Sequence, residues 1–261
     1  MTQVFRTAAS AGTALAVVLL AASPASAAVL HSPQLADTTN TNGAFCTGLA
    51  SKANAITSKL NGLNSKVGDA WKNQDTKLSS LASETDQKIA SSRTAADTKR
   101  DNAFKQLEAK ATTDSEKTAV QTYEASVNQA VTTRRNAYDA ARSAFRDGVK
   151  NAILSRRSTM SSQATTFMDA TTSAFATAES SCSAGTDSTT VRQTLISSLH
   201  SARQTFVSDR QSDSKVGDTV KQLAATRNAA FKAADQAFQT SLQNAAATLK
   251  AAFGNQASSI D

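Results

Sequence analysis

Cys46 and Cys182 are the only cysteines in this chain of 261 residues, and they are the first pair that could do chemistry. An oxidising compartment turns such a pair into a disulfide, and the N-terminus described below points to one. The bond would close a span of 136 residues, worth about 4–5 kcal/mol in the loop-entropy account. Two unpaired buried thiols, or a bridge between chains, are the competing arrangements.

The second group is basic. Between Arg134 and Arg157 lie seven bases (Arg134, Arg135, Arg142, Arg146, Lys150, Arg156 and Arg157) against Asp139 and Asp147, a local net of +5. Arg135, Arg142, Arg146, Lys150 and Arg157 fall within roughly 80° on a helical wheel. They form a candidate surface for an anionic partner: an envelope polymer, extracellular DNA, lipid headgroups or an acidic protein. The commoner use of such a stripe is a charged flank whose stems cover a seam while its heads pair with acids of a neighbouring helix.

Residues for catalysis are scarce. The two histidines are His31 and His200, and neither has a partner at metal-ligand spacing on a helix. The sequence contains no glycine-rich phosphate loop and no Gly-x-Ser-x-Gly elbow. His200 follows Leu199 and reads as a polar residue at a seam edge. The expectation is a non-enzymatic protein with no metal and no cofactor.

The elements that position these groups begin after an export signal. Arg6, the apolar run Ala8 to Ala22, Pro24 and Ala25-Ser26-Ala27 match the parts of a signal peptide over residues 1–28. The run is shorter than the roughly 20 residues a spanning helix needs, and no second run follows, so no transmembrane segment is expected. Losing Arg6 leaves 27 bases against 21 acids, a net +6 that does not by itself call for nucleic acid. Residues 29–43, with Pro33 and a Thr/Asn run, read as an unstructured leader.

From 34 to 261 the chain contains no proline, which suits long helices. Three stripes follow at steps of three and four. The first runs from Leu49 through Val67, Leu78, Leu81 and Phe104 to Ala111. The second runs from Val120 through Tyr138 and Phe145 to Cys182, and the third from Val191 through Phe206, Val220 and Phe238 to Phe253. Thr113 with Glu116 is a capping-box pattern between the first two, and Gly185-Thr186-Asp187 makes a turn between the last two. The segments 44–111, 114–182 and 187–254 contain 68, 69 and 68 residues.

Equal lengths and short turns predict an all-α fold, an elongated antiparallel three-helix bundle running up, down and up over residues 44–261. Folding back at Thr113 brings Cys46 and Cys182 to one end, which supports their pairing. Gln211-Ser212-Asp213-Ser214 with Gly217-Asp218 argues against a continuous third helix, and Gly68, Gly148 and Gly217 sit at comparable heights and leave room for a shared kink or break.

The functional expectation is an exported structural or interaction protein, secreted or at the cell surface, acting as a spacer, adhesin or assembly subunit. Its partner would be a protein or an anionic envelope polymer rather than a specific nucleic acid, and self-association is open. The alternative is a binding module for an anionic polymer or membrane surface, working through the basic stripe.

Overall fold

A computed structural model describes residues 42–213 and 215–254, and every described element is an α-helix. In chain order they are α1 (Asn42–Thr47), α2 (Leu49–Glu108), α3 (Asp114–Ser183), α4 (Ser188–Ser212) and α5 (Val216–Gly254). The expected signal peptide and most of the leader lie outside the described residues. Asn42 and Gly43, counted with the leader, belong to α1.

The all-helical bundle is as expected, but three continuous helices are not. The first segment is divided at Gly48, although helical bonding continues across it: Gly48 N donates to Ala44 O and Lys52 N to Gly48 O. The third segment is divided into α4 and α5. That break falls after Ser212, where Asp213 takes an extended backbone (φ −66°, ψ 136°), and not at Gly217, the second residue of α5. Ser212 and Asp213 are weaker helix formers, and Arg156 and Gln163 of α3 bind the Asp213 side chain from outside the helix. Gly68 and Gly148 stay inside uninterrupted helices.

Both turns form as the capping chemistry requires. Between α2 and α3, Glu116 Oε2 accepts from the backbone N–H groups of Thr112 (2.8 Å) and Thr113 (3.0 Å) and from the Thr112 hydroxyl (3.0 Å). Thr113 Oγ1 in turn accepts from Glu116 N at 3.3 Å, completing the reciprocal box. The N–H groups of Thr113 and then Thr112 hold the Glu116 carboxyl below its usual value. After α3, Gly185 takes φ +78°, a left-handed conformation that glycine adopts without strain. Thr186 N then reaches Ser181 O and Gly185 N reaches Cys182 O, the paired bonds of a Schellman stop. Asp187 caps α4 by accepting from Thr190 N at 3.0 Å.

The chain divides into two compact units. One comprises Ser79–Ala152 with the described part of Gly217–Asp261, and the other the described part of Ala16–Leu78 with Ile153–Val216. The second, the disulfide unit, is built on an apolar cluster of Leu49, Ala174, Phe175, Ala178, Val191 and Leu195, with Phe45, Ile56, Cys182 and Leu199 packed against it. The first, the ladder unit, has a smaller buried cluster of Phe104, Val127 and Ala245, joined by Tyr123, Val131 and Leu242.

Parts of the predicted stripes are not core. Leu78 and Leu81 are 36 % and 39 % exposed, and Ala96 is also exposed. Along this stretch of α2 the inward positions carry Ala82, Thr85, Ile89 and Arg93 instead.

Candidate functional site

Cys46 on α1 and Cys182 in the last turn of α3 are bonded, with Cα atoms 5.8 Å apart, and no free cysteine remains. The folding-back argument placed this pair correctly. The bond ties α1 to α3 beside the Leu49–Leu195 cluster, and α1 also packs on α4.

The basic stripe on α3 meets acids of α2. Arg135 forks onto Asp97, with Nη1 at 3.0 Å from one carboxylate oxygen and Nη2 at 2.6 Å from the other. Arg146 forks onto Asp86 at 2.8 and 2.6 Å, and Arg157 onto Asp75 at 2.8 and 2.9 Å. Arg157 also donates to Gln74 Oε1 and the Trp71 carbonyl, and lies over the Trp71 ring. A fourth fork runs the other way, from Arg93 on α2 to Asp139 on α3 at 2.9 and 2.6 Å. Arg142 completes that group at 3.1 Å from Asp139.

In the ladder unit positions 86, 93 and 97 on α2 thus face 146, 139 and 135 on α3, while the Arg157–Asp75 fork belongs to the disulfide unit. Each step along one helix is matched by the same step back along the other. Bidentate guanidinium–carboxylate pairs have fixed geometry as well as charge, so the ladder sets the antiparallel register. The arginine forks hold three carboxyls below their usual range: Asp97 through Arg135 and then Arg100, Asp86 through Arg146, and Asp139 through Arg93. Burial pulls Arg142 below its usual value against the attraction of Asp139. Of the five residues proposed for an anionic partner, four therefore have a carboxylate at hydrogen-bond distance. Lys150 is exposed and has no ion-pair partner among the described residues.

Pairing of the stripe with acids of a neighbouring helix was the commoner use expected of it, but which acids was not read from the sequence, although a signal was there. Arg135, Arg146 and Arg157 recur every eleven residues, and so do Asp75, Asp86 and Asp97. Eleven residues turn a helix about 20° past three full turns, so such residues stay in file on one face. Two complementary files on neighbouring antiparallel helices are a pairing rule.

About 100° round α3 from these forks runs a second polar seam. In the ladder unit Arg134 Nε bonds Asp235 Oδ1 at 2.7 Å, and the Tyr138 hydroxyl donates to Asp235 Oδ2 at 2.8 Å. Tyr138 stacks flat on Phe231 with centroids 4.1 Å apart. Three guanidiniums lie over these rings: Arg134 over Tyr138 and Phe238, Arg142 over Tyr138 and Phe231, and Arg227 over Phe145 and Phe231. Burial first, and then the bond to Asp235, raise the Tyr138 phenol. In the disulfide unit Arg156 pairs with Asp213, which also accepts from Gln163 Nε2 at 3.1 Å.

A groove of ≈ 560 Å³ runs between α3 and α5 of the ladder unit, lined mainly by Ala, Ser and Thr with Tyr123 and Phe238 beside them. His200 is exposed on α4 and lines a shallow recess with Arg203 and Val207. Among the described residues, no group of three or more His, Cys, Asp or Glu could hold a metal ion. None of the described helices is long and apolar enough to cross a membrane. No protein-family model, curated protein or solved structure matches the chain.

Proposed function

We propose that this protein is an exported, non-enzymatic structural or interaction protein: a helical rod that serves as a surface spacer, adhesin or assembly subunit. The observation that carries the reading is how the reactive side chains are used. The arginines and aspartates that could bind or polarise a substrate are paired between helices at matched steps, and the one disulfide fastens helices to each other. A scaffold uses polar chemistry in this way, since the pairing sets register and rigidity rather than an open site. The disulfide supports the exported part, because such bonds persist in oxidising compartments. The length of α3, 70 residues, supports the rod, since a straight helix of that size extends about 105 Å.

Expression of the full chain in an exporting host tests the reading directly. The expected product is a mature chain cleaved near residue 28, oxidised at Cys46 and Cys182, and recovered outside the cytoplasm. Small-angle scattering of that product should give a maximum dimension near 100 Å. An uncleaved chain with free thiols that stays inside the cell would remove the exported part, and a compact particle would remove the rod.

A further inference from the structure

The eleven-residue repeat of α2 has a second half. Two residues after each ladder acid stands a lysine: Asp75 with Lys77, Asp86 with Lys88, Asp97 with Lys99 and, continuing the period, Glu108 with Lys110. Two residues are about 200° of helical turn, so a residue two after one aimed at α3 lies on the far side of α2. In the ladder unit Lys88, Lys99 and Lys110 are all exposed, and none has an ion-pair partner among the described residues. The acids between 86 and 110 (Asp86, Asp97, Asp101 and Glu108) fall within about 40° of the point opposite Lys88 on the wheel. Asp86 and Asp97 are already taken by Arg146 and Arg135. Between the lysines the outward residues are Ser92, Ala95, Asn102 and Gln106, which are small or uncharged.

We propose that this face of α2 in the ladder unit, through Lys88 and Lys99, together with Lys110 in the turn that follows, docks a flexible phosphodiester or polyphosphate chain that has no bases. Lys88 and Lys99 stand about 16.5 Å apart along α2, Lys110 follows in the turn after the helix, and no acid lies on this track between Lys88 and Lys99, Glu84 standing one turn before them. Lysine ammonium groups act as point charges for phosphate. The track has no aromatic ring for a base to stack on and no arginine fork for a base edge, so it can neutralise a phosphate backbone without reading bases. A bilayer surface would call for apolar or aromatic anchors, and the face offers only Leu81, at its beginning. A flexible chain can bring a phosphate to each lysine in turn. This inference goes beyond the scaffold reading and does not depend on it.

The test uses the mature, oxidised protein and fluorescently labelled long-chain inorganic polyphosphate, with binding followed by anisotropy over a series of salt concentrations. Each phosphate contact to a flexible strand contributes about 0.7 to the slope of log K against log salt. The triple variant Lys88→Gln/Lys99→Gln/Lys110→Gln should therefore flatten that slope by about 2 and weaken binding at least tenfold at low salt. The control variant Lys215→Gln/Lys232→Gln/Lys250→Gln loses the same charge from exposed positions off this face, and should bind like the parent. Circular dichroism melts of both variants establish that each is folded. Equal losses in the two variants would reduce the effect to net charge and overturn the assignment. So would no binding by the parent, tighter binding of single-stranded DNA of matched charge, or binding to anionic phosphatidylglycerol vesicles but not to polyphosphate.

Discussion

In the disulfide unit, Leu49, Phe175, Val191 and Leu195 are buried together beside the Cys46–Cys182 bond. In the ladder unit the buried cluster is Phe104, Val127 and Ala245, with Val120, Phe145 and Val220 buried apart from it. There arginines lie over aromatic rings and fork onto aspartates, in greater number than the single Arg157–Asp75 fork of the disulfide unit. The same alanine-rich composition is thus held together in two ways. Apolar burial is strong but unspecific, and along a helix pair it tolerates sliding by a turn. A ladder of forked pairs is weak per rung, yet only one alignment satisfies all its rungs and the Arg93–Asp139 fork, whose polarity is reversed.

The largest effect should come from the disulfide. Changing Cys46 and Cys182 to serine lifts the constraint on a span of 136 residues, which costs about 4–5 kcal/mol. The loss should be local. Hydrogen exchange should show protection falling in 174–199 and in α1, while 120–145 keeps most of its own. Equal loss in both regions would show that they do not differ in what holds them. Next comes Leu195→Ala, which empties a fully buried site in the same cluster and should cost about 2–5 kcal/mol, read as a lower denaturant midpoint.

A single rung should count for less. Asp97 accepts from both Arg135 and Arg100, yet it is partly exposed, so Asp97→Asn should cost about 1 kcal/mol. A double-mutant cycle with Arg135→Gln isolates the pair. Acid probes all the rungs together. The folded-state values of Asp86, Asp97 and Asp139 lie below the ordinary 3.8. Their stabilisation is therefore complete above about pH 4 and is lost as the pH falls through those depressed values. The Leu49–Leu195 cluster contains no group that titrates there. Lowering the pH should release amide protection in 86–97 and 135–146 before 174–199, and simultaneous release would count against the contrast.

These two kinds of region were unequally legible in the sequence. Turn chemistry is local, so Thr113 with Glu116 and Gly185 with Asp187 could be read from a few adjacent residues, and the cysteine pairing followed from where the chain folds back. The apolar ends of the stripes were legible for the same reason: Leu49, Val120, Val191 and Leu195 combine burial with the right step. The middle was not. A stripe drawn through Leu78 and Leu81 follows the apolar residues out to solvent, because along this stretch of α2 the inward positions are Ala82, Thr85, Ile89 and Arg93. The basic stripe was seen as one file on one helix. Its meaning depends on a matching acidic file on another, which a scan at steps of three and four passes over. The α4–α5 break depends on Arg156 and Gln163, far away in the chain, and only the weak helix formers around Asp213 hinted at it.

The smallest effect, and the finest test of how closely the helices approach, lies in two glycines. Both sit within unbroken helices, where alanine is favoured by about 1 kcal/mol. A Cβ at Gly68 would meet nothing within 4 Å, so Gly68→Ala should stabilise by about that amount. A Cβ at Gly148 would come within 2.6 Å of Leu223 Cδ2 and 3.3 Å of its Cγ, so α3 could accept alanine only by displacing that side chain. Crowding of this kind costs about 1–3 kcal/mol, which cancels or reverses the propensity gain. Thermal melts of the two variants should therefore move apart, with Gly68→Ala raised and Gly148→Ala unchanged or lowered. The double variant Gly148→Ala/Leu223→Ala relieves the crowding, and Gly148→Ala should be less costly in that background than alone. If Gly148→Ala by itself stabilised as much as Gly68→Ala, the α3–α5 approach at that level would have to be looser, and the ladder unit would owe less to close packing against α5.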